Sequence, residues 1–166
     1  HVLKMCDAFC KKGKVDLIIP YSSNLENRNI RKNFLLTSKN NILIKSILNF
    51  KVRNFLTRLV FGYKTASHLK SNYFNLIISR SWISSFFLCI FKIKHFLEVH
   101  SEQKGLTKLL MIDLNFINSE YILKTIIISE TLGKKLTYIN KKKKLILHDA
   151  VNIENFKYKK SRNKLK

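Results

Sequence analysis

The sequence contains little glycine, proline or acid: its 166 residues include 4 glycines, 1 proline and 10 aspartates plus glutamates. So few glycines and prolines exclude a collagen-like or linker-like chain. The 3 cysteines are an odd number without a Cys-x-x-Cys spacing, which argues against a disulfide scaffold and a zinc ribbon. We therefore expect the cysteines to be small core residues in a reducing compartment.

Long apolar runs are also missing. The apolar segment 82–91 has about ten residues with two serines among them, whereas a helix that spans a membrane needs roughly 20. No secretory signal is visible at the N-terminus, so the sequence predicts a cytoplasmic protein. The chain starts at His1 within a segment that already has helical spacing, and we interpret it as a fragment that lacks its natural N-terminus.

Positive charge and apolar residues are abundant. Lysine and arginine number 32, the formal net charge is +22, and 46% of the residues are hydrophobic. This apolar content is enough for the core of one domain and excludes disorder over the whole chain. A surface with this charge favours nucleic acid, anionic lipid or phosphorylated substrates as partners.

Apolar runs of strand length alternate with segments of helical spacing. Gly13 ends a helix over residues 2–12 and precedes a strand at 15–20. The remaining predicted strands are 33–37, 42–47, 74–79, 95–99, 125–129 and 144–147, and the remaining helices are 51–70, 81–91, 104–123 (as one or two helices) and 130–136. Continuous apolar strands that alternate with helices indicate a parallel sheet covered by helices. The predicted fold class is α/β, with a Rossmann-like, doubly wound sheet and helices on both faces.

The chain is predicted to be one domain over residues 1–156 that lacks its first strand. The last residues, 157–166, read KYKKSRNKLK and contain almost no apolar side chain. We interpret them as a basic, solvated tail or as the start of an interdomain linker.

The common nucleotide and hydrolase motifs are absent: there is no G-x-G-x-x-G, G-x-x-x-x-G-K-[ST], G-x-S-x-G or H-E-x-x-H. In open α/β sheets, ligands bind beyond the carboxyl ends of the strands. Three polar groups follow predicted strands at that edge, namely Ser79-Arg80-Ser81, His100-Ser101-Glu102 and Ser129-Glu130. The sequence therefore predicts a binding site there.

Each of these residues also has a structural interpretation. His100 can be a loop histidine with its hydrogen bonds satisfied, and Ser129 can cap the helix that follows it. Arg80 can pair with Glu98 or Glu102. The residues alone leave both interpretations open.

Five segments occur in an order that is typical of one enzyme family. They are the first helix with KKGKVDLIIP (11–20), FNLIISRS (74–81), FLEVHS (96–101), IIISETL (126–132) and LILHDAVNIENF (145–156). Together they resemble the N-terminal domain of retaining GT-B glycosyltransferases of the family 4 type. The chain departs from the family pattern at Asp149-Ala150, where the family has Asn-Gly, and at Asn152, where it has Asp.

The resemblance implies an enzyme that transfers a sugar from a nucleotide-sugar donor to a glycan or lipid-linked acceptor, with no metal or other cofactor. His100 would be the catalytic residue, because beside the transferred sugar it could support the charge that develops at the anomeric centre. The implied substrate-binding residues are His1, Arg80, Ser81, Ser101, Glu102 and Ser129. The chain would be inactive alone, because its partner, a C-terminal nucleotide-sugar-binding domain, is missing.

The positive charge suggests further partners. By the same resemblance, the basic amphipathic segment 51–70 could hold the domain at the inner face of the membrane. A basic nucleic-acid-binding module is an alternative, motivated by the lysines of 141–144 and 157–166, although no known nucleic-acid motif is present. Another Rossmann-like nucleotide-binding subunit is the third possibility.

Overall fold

The computed structural model describes residues 2–21 and 42–148. His1, the predicted strand at 33–37 and everything from residue 149 onward lie outside the described residues. The departures at 149–152 and the basic segment 157–166 therefore stay predictions.

Within the described residues, six strands form two parallel sheets. In the small sheet, β1 (Val15–Ile19) pairs with β2 (Ile42–Ser46). The large sheet has, in this order, β3 (Ile78–Ser79), β4 (His95–Val99), β5 (Ile122–Ile127) and β6 (Lys144–Ile146). Every described strand pair is parallel, which confirms the prediction of an α/β chain with parallel sheets.

Helices separate most of the strands. They are α1 (Val2–Cys10), α2 (Phe55–Lys70), α3 (Trp82–Ile90), α4 (Gly105–Lys108) and α5 (Glu130–Lys135). The described residues also form a π-helical turn (Leu109–Asp113) and 3₁₀ turns (Phe116–Asn118 and Lys141–Lys143). Asn54 begins α2 with a capping box: its side chain accepts the Thr57 N–H, and the Thr57 side chain accepts the Asn54 N–H.

Several element boundaries differ from the predictions. The predicted strand at 74–79 is reduced to Ile78–Ser79. The Ile77 carbonyl still accepts the Phe96 N–H of β4, and Phe74 and Ile77 pack with side chains of α2 and α3. The predicted helix at 104–123 is broken into short turns, and β5 already begins at Ile122, which pairs with His95. Pairing with β4 therefore overrides the local helical spacing of this segment.

The main core lies against the large sheet. Leu97 and Val99 of β4 and Ile122 and Ile127 of β5 are fully buried, and Trp82 of α3 packs with them. The other buried members of this cluster are Cys89, Met111, Ile117, Leu136 and Ile139. This packing fixes the positions at which β3, β4 and β5 end.

A second cluster connects the two sheets. Ala66 and Leu69 of α2 pack with Leu88 of α3, and Ile18 of β1 packs against the same group. The two helices approach closely at Gly62, where an added Cβ would lie 2.8 Å from Phe87 Cδ2. A side chain larger than hydrogen at this position would force the helices apart.

The buried face of α2 differs from what the hydrophobic spacing alone suggests. Its buried residues are Gly62, Thr65, Ala66 and Leu69. Leu56, Val60 and Tyr63, which recur at helical spacing on another side, are exposed. We call these three residues the α2 stripe.

The cysteines are buried and unbridged, as expected for core residues. Burial raises the pKa of the Cys6 and Cys89 thiols, so both are poor nucleophiles. None of the helices described for this chain is long and apolar enough to cross a membrane.

Candidate functional site

The candidate site lies where β3, β4 and β5 end. Ser79 pairs with Leu97, and Val99 pairs with Ile127, so the carboxyl ends of these parallel strands meet at one edge. The polar residues that follow each strand are therefore brought together, as the sequence predicts.

Arg80, Glu98 and His100 form a charged cluster at this edge. His100 Nε2 lies 2.6 Å from Glu98 Oε1 and 2.5 Å from Arg80 Nη2. Arg80 Nε lies 3.5 Å from the same Glu98 oxygen. Glu98 thus contacts both Arg80 and His100. Of the two ion-pair partners predicted for Arg80, Glu98 is the one that it contacts.

Glu98 is unusual because its carboxylate is buried. Its side chain is 4% exposed, whereas those of Arg80 and His100 are 29% and 31% exposed. Its second oxygen, Oε2, is buried without a hydrogen-bond partner among the described residues. A buried carboxylate is costly unless it is paired, so the guanidinium and the imidazole are needed to hold it there.

A shallow, open cleft of about 380 Å³ lies at the same edge. It is lined by side chains that are mostly hydroxylated or charged: Ser101, Glu102, Ser129, Thr131, Leu132 and Lys135. Hydroxyls donate and accept, the carboxylate accepts, and the ammonium donates. The cleft therefore offers hydrogen-bond donors and acceptors to a polar ligand.

Two of the predicted binding residues also have structural roles. The Ser81 hydroxyl accepts the Ser84 N–H at the start of α3, and its carbonyl accepts the Ser79 hydroxyl. The Ser129 hydroxyl accepts the Leu132 N–H at the start of α5. Each serine caps its helix, and Ser129 does so while it lines the cleft.

The pKa of Tyr138 is raised by burial and by Glu102, a residue that lines the cleft. Burial raises its pKa to about 12, and the charge of Glu102 adds to this by disfavouring the ionised phenol. Its hydroxyl is buried and has no hydrogen-bond partner among the described residues. Tyr138 therefore remains neutral and cannot serve as a base at neutral pH.

A second histidine pair lies apart from the cleft, at the start of β4. The fully buried His95 accepts the Ser85 hydroxyl at Nε2 (2.6 Å) and donates Nδ1–H to the Ile93 carbonyl (2.9 Å). Burial lowers the pKa of His95, so this ring is neutral. Because it has no access to solvent, the Ser85–His95 pair is part of the core.

The structure brings together most of the predicted site residues in two adjoining groups. Arg80 contacts His100, and Ser101, Glu102 and Ser129 line the cleft, whereas His1 lies outside the described residues. Sequence reasoning missed Thr131 and Lys135, although their spacing on α5 could have indicated a shared face. It considered Glu98 only as a partner of Arg80, although Glu98 and His100 are two residues apart, the spacing that puts strand residues on one face.

Comparison with known proteins adds no assignment: no protein-family model matches the chain, and no curated protein or solved structure is significantly similar to it. Within residues 2–21 and 42–148, no three histidine, cysteine, aspartate or glutamate side chains come together as a metal site would require. Any functional proposal therefore rests on the geometry of the strand ends.

Proposed function

We propose that this chain is the N-terminal, acceptor-side domain of a retaining GT-B glycosyltransferase of the family 4 type, and that it needs a separate donor-binding domain for activity. The observation that carries the proposal is the cluster of Arg80, Glu98 and His100 beside a hydroxyl-lined cleft, all at the carboxyl edge of a parallel sheet.

The strand order supports this proposal. A doubly wound dinucleotide-type sheet has the order 3-2-1-4-5-6. The order β2-β1 of the small sheet and the order β3-β4-β5-β6 of the large sheet match the two sides of such a sheet around its first strand. We propose that one further parallel strand, preceding α1, pairs between β1 and β3 and joins the two sheets, with helices on both faces.

The site residues have distinct roles in this proposal. The bond between the anomeric carbon and the donor's phosphate breaks, and the nucleotide leaves with the bonding electrons. A bond forms to the oxygen of an acceptor hydroxyl, whose proton passes to the leaving phosphate. His100 lies beside the sugar and stabilises charge at the anomeric centre. Ser101, Glu102 and Ser129 bind sugar hydroxyls along the cleft.

Arg80 and Ser81 hold this edge in place, and Arg80 also offers a guanidinium to an anionic group of the donor. His1 is assigned to the donor phosphates by the resemblance alone. No metal or cofactor is proposed.

The test begins with the gene. We expect the reading frame to continue upstream through a strand and a Gly-Gly turn, and downstream through a second α/β domain with two glutamates seven residues apart. A start codon and a stop codon that bound these 166 residues would contradict the proposal of a two-domain enzyme.

Activity is then measured on the full-length protein with a panel of nucleotide sugars. We expect His100→Ala to lower kcat by more than about tenfold in a protein that still folds. His148→Ala is the matched control, because His148 is an exposed histidine beyond the end of β6. Wild-type turnover by His100→Ala would remove His100 from the mechanism.

The nucleic-acid alternative is weakened by the lysines of residues 141–144. Lys143 Nζ donates to the carbonyls of Asn118, Ser119 and Ile122, and Lys144 Nζ donates to the carbonyl of Gly133. Burial lowers the pKa of Lys143. Half of this basic run therefore holds the loops around β5 and is not arranged as a stripe for phosphates.

The α2 stripe favours an anionic lipid surface as a further partner. Leu56 is 69% exposed and Tyr63 is 52% exposed. The exposed Lys64 lies one helical turn after Val60 on the same side, and the exposed Arg53 directly precedes the Asn54 cap of α2. An exposed apolar stripe between basic side chains can insert into the headgroup region while each basic residue adds about 1 kcal/mol of attraction.

Vesicle co-sedimentation tests this partner. We expect the chain to bind vesicles rich in phosphatidylglycerol and not those of phosphatidylcholine, and Leu56→Glu to weaken this binding by more than about fivefold. Leu106→Glu, at an exposed leucine of α4, is the matched control. Equal binding by both variants would show that charge alone, and not the α2 stripe, attracts the vesicles.

A further inference from the structure

We propose that Glu98 is a positioning residue: its buried carboxylate accepts the Nε2–H of His100 and thereby fixes the orientation and the tautomer of that ring. The assignment of the tautomer is argued from the geometry alone, whereas its importance for sugar transfer rests on the proposed function.

Two partners compete for Nε2 of His100. The Glu98 carboxylate, at 2.6 Å, can only accept a hydrogen bond, and the Arg80 guanidinium, with Nη2 at 2.5 Å, can only donate one. A neutral imidazole nitrogen has either a proton or a lone pair, so Nε2 can form a hydrogen bond with only one of them.

The contacts favour Glu98. With the proton on Nε2, Glu98 Oε1 accepts from His100 and forms an ion pair with Arg80 Nε at 3.5 Å. Arg80 Nη2, a donor 2.5 Å from Nε2, then has to turn toward His100 Nδ1, 3.4 Å away. The Arg80 side chain is 29% exposed and has room for this shift, whereas Glu98 is buried. With the lone pair on Nε2, two lone pairs would face each other at 2.6 Å beside a carboxylate that water does not reach. Repulsion is strong in such a low-dielectric place, so the first arrangement is the stable one.

Glu98 is also well placed to keep the ring still. It lies on β4 between Leu97 and Val99, both of which are fully buried. A rigid acceptor that engages one ring nitrogen fixes both tautomer and ring direction, as the outer partners of metal-bound histidines do. Arg80 offsets the charge of this carboxylate and remains the competing donor.

The tautomer can be measured on the chain by two-bond ¹H–¹⁵N correlation spectra of the histidine rings, recorded where histidines are neutral and with His100 assigned by its loss in His100→Gln. In the wild type we expect the Nε2–H form with a downfield, slowly exchanging ring proton. In Glu98→Gln we expect loss of that downfield proton and a shift toward the Nδ1–H form, because Arg80 Nη2 then donates to Nε2.

Two further variants make the result decisive. Arg80→Gln combined with Glu98→Gln removes the competing donor and should return the ring to Nε2–H without the downfield proton. Glu120→Gln removes a carboxylate at an exposed position and should leave the His100 signals unchanged. A wild-type ring in the Nδ1–H form, or a wild-type spectrum retained in Glu98→Gln, would overturn the proposal.

The positioning role predicts a specific kinetic pattern in the full-length transferase. Glu98→Gln should lower kcat about tenfold while KM for the donor changes by less than about twofold, because the substrate does not touch Glu98. If the spectra show that Glu98 sets the tautomer but kcat is unchanged in Glu98→Gln, the ring is held by Glu98 and His100 is not used in transfer. That result would contradict the proposed function and leave the tautomer assignment intact.

Discussion

The two sheets of this protein have strands of similar apolar character and very different burial. The β1 residues VDLII are all half-buried, whereas four of the five β4 residues HFLEV are buried. β4 has β3 and β5 as neighbours, and β1 pairs with β2 alone among the described residues. Burial of a strand is therefore decided by its neighbours, and residues of the same type contribute differently to stability in the two sheets.

The largest expected change in the free energy of unfolding comes from comparing equivalent leucine substitutions in the two sheets. Leu97→Ala empties a fully buried site in β4 and should lower the free energy of unfolding by about 4 kcal/mol. Leu17→Ala, in half-buried β1, should cost about 1 kcal/mol, because less apolar surface is lost. Urea denaturation measures both. Equal losses would mean that the sheets are equally important for stability.

Removing the buried carboxylate should have the next largest effect. Glu98→Ala leaves Arg80 and His100 without their common partner and should cost about 3 kcal/mol, since breaking a buried pair is strongly destabilising. Thermal and urea unfolding give the value. A cost below about 1 kcal/mol would show that solvent replaces the carboxylate, and would contradict the burial of Glu98.

The pH dependence of stability should be concentrated in the large sheet. Burial lowers the pKa of His95 in the folded protein, so the unfolded chain binds a proton more readily. Stability is then fully present above the unfolded value of about 6.5 and falls as the pH drops below it, by about 1.4 kcal/mol for each unit by which the folded pKa is lowered.

Urea denaturation between neutral and mildly acidic pH measures this slope, which should be reduced in His95→Gln. His148→Gln is the control, because His148 is exposed and should leave the slope as it is. A slope that is identical in wild type and His95→Gln would mean that other groups produce it.

The smallest effect is expected at the ion pair of the small sheet. Asp16 Oδ2 lies 2.7 Å from Lys45 Nζ, across β1 and β2, and the lysine side chain is 32% exposed. Asp16→Asn should cost about 0.5 kcal/mol or less, and added salt should reduce that cost. A loss comparable with that of Glu98→Ala would contradict the difference between the sheets.

Much of the fold could be predicted from the sequence, because strands and helices leave local patterns. The runs VDLII and HFLEV predict buried parallel strands, and Gly13 marks the end of the first helix. The start of β5 could not be predicted: Ile122 has a helical spacing with its predecessors, and only pairing with His95 makes it part of a strand.

The location of the candidate site could be predicted from the sequence, but the contacts between its side chains could not. Parallel strands end at one edge, so Arg80, His100 and Ser129 could be placed together from topology alone. Which side chains contact each other depends on the register of β3 against β4 and on rotamers, which no local pattern contains. The pairing of Arg80 with Glu98 was one of two options in the sequence, and the contact between Arg80 and His100 was not anticipated.

The sequence by itself determined the α/β class, the positions of most elements and the polar residues at the strand ends. Tertiary structure alone decided that α2 buries Ala66 and Leu69 and leaves Leu56 exposed, and that Glu98 is buried between Arg80 and His100. The physical reason is range: element type follows from interactions between neighbours in the chain, whereas burial and contacts at a site follow from residues that are distant in sequence.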